Sequence, residues 1–251
     1  MFQRRAFLAL AVGLFFSVSI VKAFSPFAGN APSIFSKAQG TTLSERQLID
    51  LAKDYVANRN GFYNPIDASV HADDFVFRAG IIGPLNKVDY IDTMTKLGIY
   101  KTFDLQPNAF GFCVDPEDTM MVRFFVRYTG QQVQPWSVTN TPVNVPLLPN
   151  NKPIQGPTEA FCIRFNEQGQ VKFLSISNPI LFGNPRPTTT GKLGAVLGLF
   201  EHLGQPLIAQ SAMNDNLRKT NNWIAQLLGQ DKGAPITQSK PQDLPAWWQG
   251  Y

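Results

Sequence analysis

In TTLSERQLIDLAKDYVANRNG the apolar residues Leu48, Leu51, Ala52, Tyr55 and Val56 recur at the three-and-four spacing of one helical face, which predicts a helix. Ser44 and Gln47 make a capping box at its start, and Asn60-Gly61 offers a left-handed stop. PIDASVHAD reads as a short second helix with Pro65 in its first turn, and DFVFRAG as a strand ending at Gly80. NKVDYIDTMTKLG predicts a third helix, capped by Asn86 and closed by Gly98, with Val88, Ile91 and Thr95 on one face.

The period then changes. TFDLQPNAFGFCV, TMMVRFFVRYTG, TEAFCIRF and QVKFLSISN read as strands, and NEQG suits a tight hairpin between the last two. In TMMVRFFVRY one face carries Met120, Val122, Phe124, Val126 and Tyr128, which should be covered, and the other Met121, Arg123, Phe125 and Arg127, which should be half-exposed. Helices followed by a meandering sheet predict an α+β fold in which a curved antiparallel sheet wraps around the N-terminal helices.

Composition adds a core and removes a partner. Of 251 residues 44% are hydrophobic and 20 are Phe, enough for one domain with extensions. The net charge of +4 is confined to the start, because residues 1–40 carry Arg4, Arg5, Lys22 and Lys37 and no acid. Subtracting those four from the 22 basic residues leaves 18 against 18 acidic ones, so the rest is neutral and gives no support to nucleic-acid binding. Cys113 and Cys162 lie in apolar strand-like runs and read as two buried free thiols rather than a bridge.

The first 40 residues have two parts. MFQRR and the apolar AFLALAVGLFFSVSIV resemble a signal peptide over 1–23, with Val21 and Ala23 before the cleavage point. Residues 24–40, FSPFAGNAPSIFSKAQG, are acid-free and rich in Ser, Ala and Pro, as a transit peptide is. KAFSPF resembles the Ala-Phe-Ala-Pro motif of diatoms and related algae, which implies delivery to the plastid through the secretory pathway; simple secretion is the alternative.

DASVHADDFVFRAGIIGPLNKVDYI, then RFFVRYTG, then EAFCIRFNEQGQVKFLSIS resemble, in order and wording, the SnoaL-like family of the nuclear transport factor 2-like superfamily. The resemblance covers about residues 44–180 and implies a cone-shaped domain over 41–180. Such a cone encloses a small-molecule pocket, used by some members for isomerase, dehydratase or cyclase chemistry and by others for binding or assembly alone.

Two parts exceed the minimal domain. Residues 131–157 hold six prolines and read as a lid, a surface excursion or a protomer contact. Residues 181–251 form a C-terminal helical extension, in which Gly191, Gly194 and Gly198 permit close packing and SAMNDNLRKTNNWIAQLLGQ is a further helix. Trp247 and Trp248 dock on the domain, on a partner or at a membrane interface.

Candidate chemistry centres on HADDFVFRAG. His71 beside Asp74 suggests a proton shuttle, although His71 is expected at the surface or capping a helix, and Asp74 in a structural pair with Arg78. By the resemblance, the catalytic acid of ketosteroid isomerase-like members would fall at Arg78-Ala79-Gly80, where no acid stands. Where cyclase-like members carry an acid in the last strand, Asn178 cannot serve as a base. Tyr55, Tyr90, Phe124, Tyr128 and Asn178 are the expected cavity lining, and Arg78 pairs with Asp74 or binds an acidic ligand group. No zinc cluster, phosphate loop or nucleophile elbow is present, and no cofactor is expected.

These features lead to a plastid-targeted domain that binds a small hydrophobic molecule, an isoprenoid, pigment or lipid derivative, with or without cofactor-free acid–base chemistry. The alternative is a non-catalytic assembly module. A homodimer through the outer sheet face and peripheral membrane contact through the C-terminal tail belong to the expected partners.

Overall fold

The computed structural model describes residues 43–80, 82–137, 146–177, 187–191, 194–204 and 235–248. The leader, the 211–230 helix and Asn178 lie outside the described residues.

Helix α1 (Glu45–Asp54) starts on the capping box, in which the Gln47 amide donates to Ser44 Oγ and the Ser44 amide to Gln47 Oε1 at 2.8 Å. It buries Leu48 and Ala52, then widens into a π turn, Tyr55–Arg59, which buries Tyr55 and Val56. Asn60 closes it by donating to the Val56 carbonyl and accepting from the amides of Phe62 and Tyr63, while Gly61 takes φ 81°.

The second helix shrinks to one 3-10 turn, Ala68–Val70, and His71 opens strand β1 (His71–Ala79). Asp67 ends the irregular stretch by capping the Ser69 amide with its own side chain, which favours a short turn over a longer helix. Strand β2 (Leu85–Asn86) pairs back onto β1, and α2 (Lys87–Leu97) follows with Asn86 as N-cap and Gly98 at φ 57° as its left-handed stop. The buried face of α2 is Tyr90, Thr93, Met94 and Leu97, not the face of Val88, which is 74% exposed. Counting from Tyr90 gives a three-and-four stripe that holds the larger side chains, and burial follows area.

After the short α3 (Ile99–Thr102) the sequence TFDLQPNAFGFCV divides at Pro107-Asn108 into β3 (Phe103–Gln106) and β4 (Ala109–Val114), with Asn108 at φ 42°. TMMVRFFVRYTG likewise divides into β5 (Met121–Val126) and β6 (Thr129–Gln132). Strands β7 (Ile154–Gln155), β8 (Glu159–Phe165) and β9 (Val171–Ile176) complete two sheets, of order β2-β1-β9-β8-β5-β4 and β3-β6-β7. Pairing is antiparallel except between β1 and β9, where Phe77 aligns with Leu174 in a parallel ladder. The β8–β9 hairpin turns on Asn166, whose side chain accepts from the Gln168 and Gln170 amides, and on Gly169 at φ 76°.

This is an α+β fold with a curved sheet. Its inner face presents Phe75, Phe77, Val122, Phe124, Phe161, Ile163 and Leu174 to the helices, all buried in one core with Leu48, Tyr55 and Tyr90. In β5, Val122, Phe124 and Val126 face inward and Arg123 faces solvent, as the alternation predicts. The same period places both cysteines outward. Cys113 is exposed and Cys162 half-buried, so they are free thiols but not buried ones, because in EAFCIRF the inward phase belongs to Glu159, Phe161, Ile163 and Phe165.

The Pro-rich segment is tied into the core where it is described. Trp136 is fully buried, donates from Nε1 to the Leu97 carbonyl at 2.8 Å, and packs its ring on Phe103 and on Phe200 of α4 (Ala195–His202). Residues 235–248 run along the β2 edge: the Gly83 amide donates to the Thr237 carbonyl, the Ser239 amide to the Pro84 carbonyl, and the Asn86 amide to Ser239 Oγ. An edge strand is thereby covered. Trp247 donates to the Asp74 carbonyl at 2.9 Å and, with Trp248, packs on Phe173.

Candidate functional site

The π turn at the end of α1, the first residue of β1 and the middle of α2 bring three ring systems together. Tyr55 Oη lies 3.1 Å from His71 Nε2, and Tyr90 Oη 3.5 Å from Tyr55 Oη. His71 Nδ1 is 3.0 Å from the Asp67 carbonyl, which only accepts, so Nδ1 carries the proton and Nε2 accepts from Tyr55. Tyr90 donates to the Asn60 carbonyl at 3.1 Å. Both phenolic protons are committed to protein acceptors, and the two oxygens keep lone pairs for a donor such as a ligand hydroxyl.

His71 is completely buried rather than at the surface, although it does cap the 3-10 turn, its backbone amide donating to the Ala68 carbonyl. Phe75 and Tyr90 flank its ring at centroid distances of 4.7 and 5.6 Å. Burial, with a smaller contribution from the charge of Lys87, pushes its pKa down to about 4, against the opposing Asp67 bond. It is a neutral imidazole near pH 7. Burial also raises the phenols, Tyr90 to about 12.

Asp74 and Arg78 stand apart from this set. The Asp74 carboxylate meets Lys172 of the neighbouring strand at 2.9 Å, and the Arg78 guanidinium donates to the carbonyls of Gly83 and Ile82. The Asp74–Arg78 pair expected from sequence is not found among the described residues, since four residues along a strand separate two Cα atoms by about 13 Å, whereas Lys172 reaches Asp74 from the adjoining strand, beside the irregular stretch of the β1–β9 ladder.

Farther along the inner face, Phe124 stacks between Phe112 and Phe161. Tyr128 is fully buried and donates to the Ala195 carbonyl at 3.3 Å. Beside it stands Glu159, unnoticed in the sequence reading, only 3% exposed and accepting from the Ala195 amide. Burial raises its pKa to about 8, in spite of that hydrogen bond. Tyr63 is raised by burial and by the charges of Glu159, Tyr128 and Tyr90. The signal for Glu159 was present: it is an acid on the inward phase of a strand whose other inward residues are Phe161, Ile163 and Phe165. Among the described residues no group of three or more His, Cys, Asp or Glu is arranged to hold a metal ion.

No family model matches the chain, and no curated protein matches it. Solved structures do. A proposed SnoaL-like polyketide cyclase from Jannaschia sp. CCS1 is 15% identical, with 55% of this chain and 90% of that one covered and a TM-score of 0.38. A nuclear transport factor 2-like protein of unknown function from Exiguobacterium sp. 255-15 is 11% identical over 48% and 80%, TM-score 0.30. A steroid delta-isomerase from Pseudomonas aeruginosa is 14% identical over 56% and 76%, TM-score 0.27. Likeness at this level bears on no residue's role.

Proposed function

We propose that this domain binds a small hydrophobic molecule against the inner face of its sheet, with Tyr55, Tyr90 and His71 as its polar anchor. One observation carries the reading: three hydrogen-bonding rings meet inside an aromatic wall with spare acceptor capacity and no ion pair among them. Small-molecule sites generally combine apolar walls with a few placed polar groups. Such a ligand is an isoprenoid, pigment or lipid derivative bearing a hydroxyl.

The interior also holds a group able to exchange a proton near neutrality. His71 is too weakly basic and the phenols too weakly acidic, whereas Glu159 titrates near the working range of a general acid or base. Cofactor-free isomerase, dehydratase or cyclase chemistry in this domain would therefore run through Glu159. The proposed setting is the plastid, from the KAFSPF junction.

The test is native mass spectrometry of the chain after incubation with a diatom plastid lipid extract. A stoichiometric adduct that weakens in Tyr90→Phe supports the reading, and its absence with folded protein refutes it.

A second reading, an interaction module working through the outer face, draws on Phe110, which is 45% exposed and lies against Phe125. A second copy at that face and a membrane surface at the C-terminal tail are its proposed partners. It is favoured if the chain dimerises and Phe110→Ser abolishes the dimer while no adduct forms.

A further inference from the structure

Glu159 also stands at the seam between the sheet and the C-terminal extension. Its Oε2 accepts from the Ala195 amide at 3.3 Å, and a Cβ on Gly194 would collide with its Oε1. Tyr128, two residues beyond the Val126 that pairs with Glu159, takes the other side of Ala195 by donating to its carbonyl at 3.3 Å. Ala195 is thus held at both ends of its backbone, and it is held at φ 43°, in the left-handed region that a residue with a Cβ rarely adopts. Strain of this kind persists only where the surroundings enforce it. Ala195 is also the first residue of α4, whose Leu199 and Phe200 are buried and whose Gly198 amide donates to the Gly194 carbonyl.

We infer that Glu159 and Tyr128 form a pH-dependent clasp on Ala195, which sets how firmly the start of α4 is held on the sheet. This concerns regulation of the interior described above, but the clasp itself does not require a ligand to be bound.

The physical reason is the cost of a buried charge. With the clasp closed, Glu159 is shut away from water, and among the described residues no Lys or Arg pairs with it. One backbone hydrogen bond at a helix start offsets only part of that cost, so the closed form retains the proton up to about pH 8. When the start of α4 lifts, water reaches the carboxyl and its affinity for a proton falls to the ordinary range. The closed state therefore binds more protons than the open one, and rising pH favours opening until the closed-state carboxyl itself ionises. Among the described residues the titratable groups that face Glu159 are Tyr63 and Tyr128, whose raised pKa values keep them neutral in this window. His202, at the far end of α4 and bonded to Thr189, is shifted down by burial and so works in the opposite sense.

Amide hydrogen exchange of the whole chain, ligand-free, tests this at Gly198 and Leu203, whose amides bond within α4, with Gly98 at the end of α2 as reference. After correction for the intrinsic pH dependence, protection of the α4 amides relative to Gly98 should fall between about pH 5 and pH 8, by up to about tenfold per unit. Glu159→Gln should abolish that slope. Gly194→Ala, whose methyl displaces the carboxyl, should give low protection at every pH, and it decides the matter with the wild-type profile if Glu159→Gln does not fold. A flat wild-type profile, or an unchanged slope in Glu159→Gln, overturns the clasp. Neither result depends on whether an adduct is found.

Discussion

The hydroxyl of Tyr55 stands 3.1 Å from Nε2 of His71, where α1 has just widened into a π turn. Extra backbone in that turn re-aims the tyrosine toward the start of β1, and π turns are often found where a helix places a functional group. Because Nδ1 is committed to the Asp67 carbonyl, the phenol is the donor that satisfies Nε2. Tyr55→Phe should therefore leave a buried ring nitrogen unpaired and destabilise the domain by about 1–3 kcal/mol. Urea unfolding reads this, with Tyr100→Phe on the half-buried side of α3 as a control.

His71 should stay neutral at pH 5, because its folded pKa is about 4. The unfolded ring binds a proton below about pH 6.5, so the unfolded state takes up more protons between the two values. Its contribution to stability is complete above the unfolded value and is lost as pH falls toward the folded one, an effect of up to about 3 kcal/mol. Imidazole nitrogen shifts of the folded chain check it: a single Nδ1–H tautomer down to about pH 5 is expected.

The C-terminal tail should stabilise the elements that carry the anchor. Trp247 bonds to the Asp74 carbonyl on β1, Lys172 lies over its ring, and Thr93 of α2 exchanges hydrogen bonds with Ile236. Trp247→Ala removes a half-buried ring and one hydrogen bond, and should lower stability by about 2 kcal/mol. Thermal unfolding measures it, and an unchanged midpoint would mean that the tail is not held on the sheet.

For the address, residues 1–40 fused to a fluorescent reporter should reach the plastid in a diatom host. Phe24→Ala should strand the reporter before the innermost plastid membranes. Secretion of the unmodified fusion into the medium would end the plastid proposal.

How much was legible in the sequence follows from the range of the interactions involved. The capping box at Ser44, the Asn86–Gly98 limits of α2 and the alternation through Val122, Phe124 and Val126 are local, and local chemistry sets them. The burial of His71 was not legible, since it depends on Asp67 shortening the preceding helix to one turn and on the π turn and α2 closing over the start of the strand with Tyr55 and Tyr90. The Asp74–Lys172 pair needs the parallel β1–β9 register, which joins segments about a hundred residues apart and leaves no local trace. Glu159 was readable from strand phase alone. What phase could not supply is Ala195, which arrives from the extension to meet it.

The central claim is that a small hydrophobic molecule sits among Tyr55, Tyr90 and His71. Intermolecular nuclear Overhauser contacts between isotope-labelled chain and the molecule acquired from plastid lipid extract test it most directly. The account expects contacts from the ligand to ring protons of Tyr55, Tyr90 and Phe77, with a shift of the His71 Nε2 resonance as the Tyr55 bond adjusts. Contacts confined to Phe110 and Phe125 on the outer face, with His71 unmoved, would contradict it.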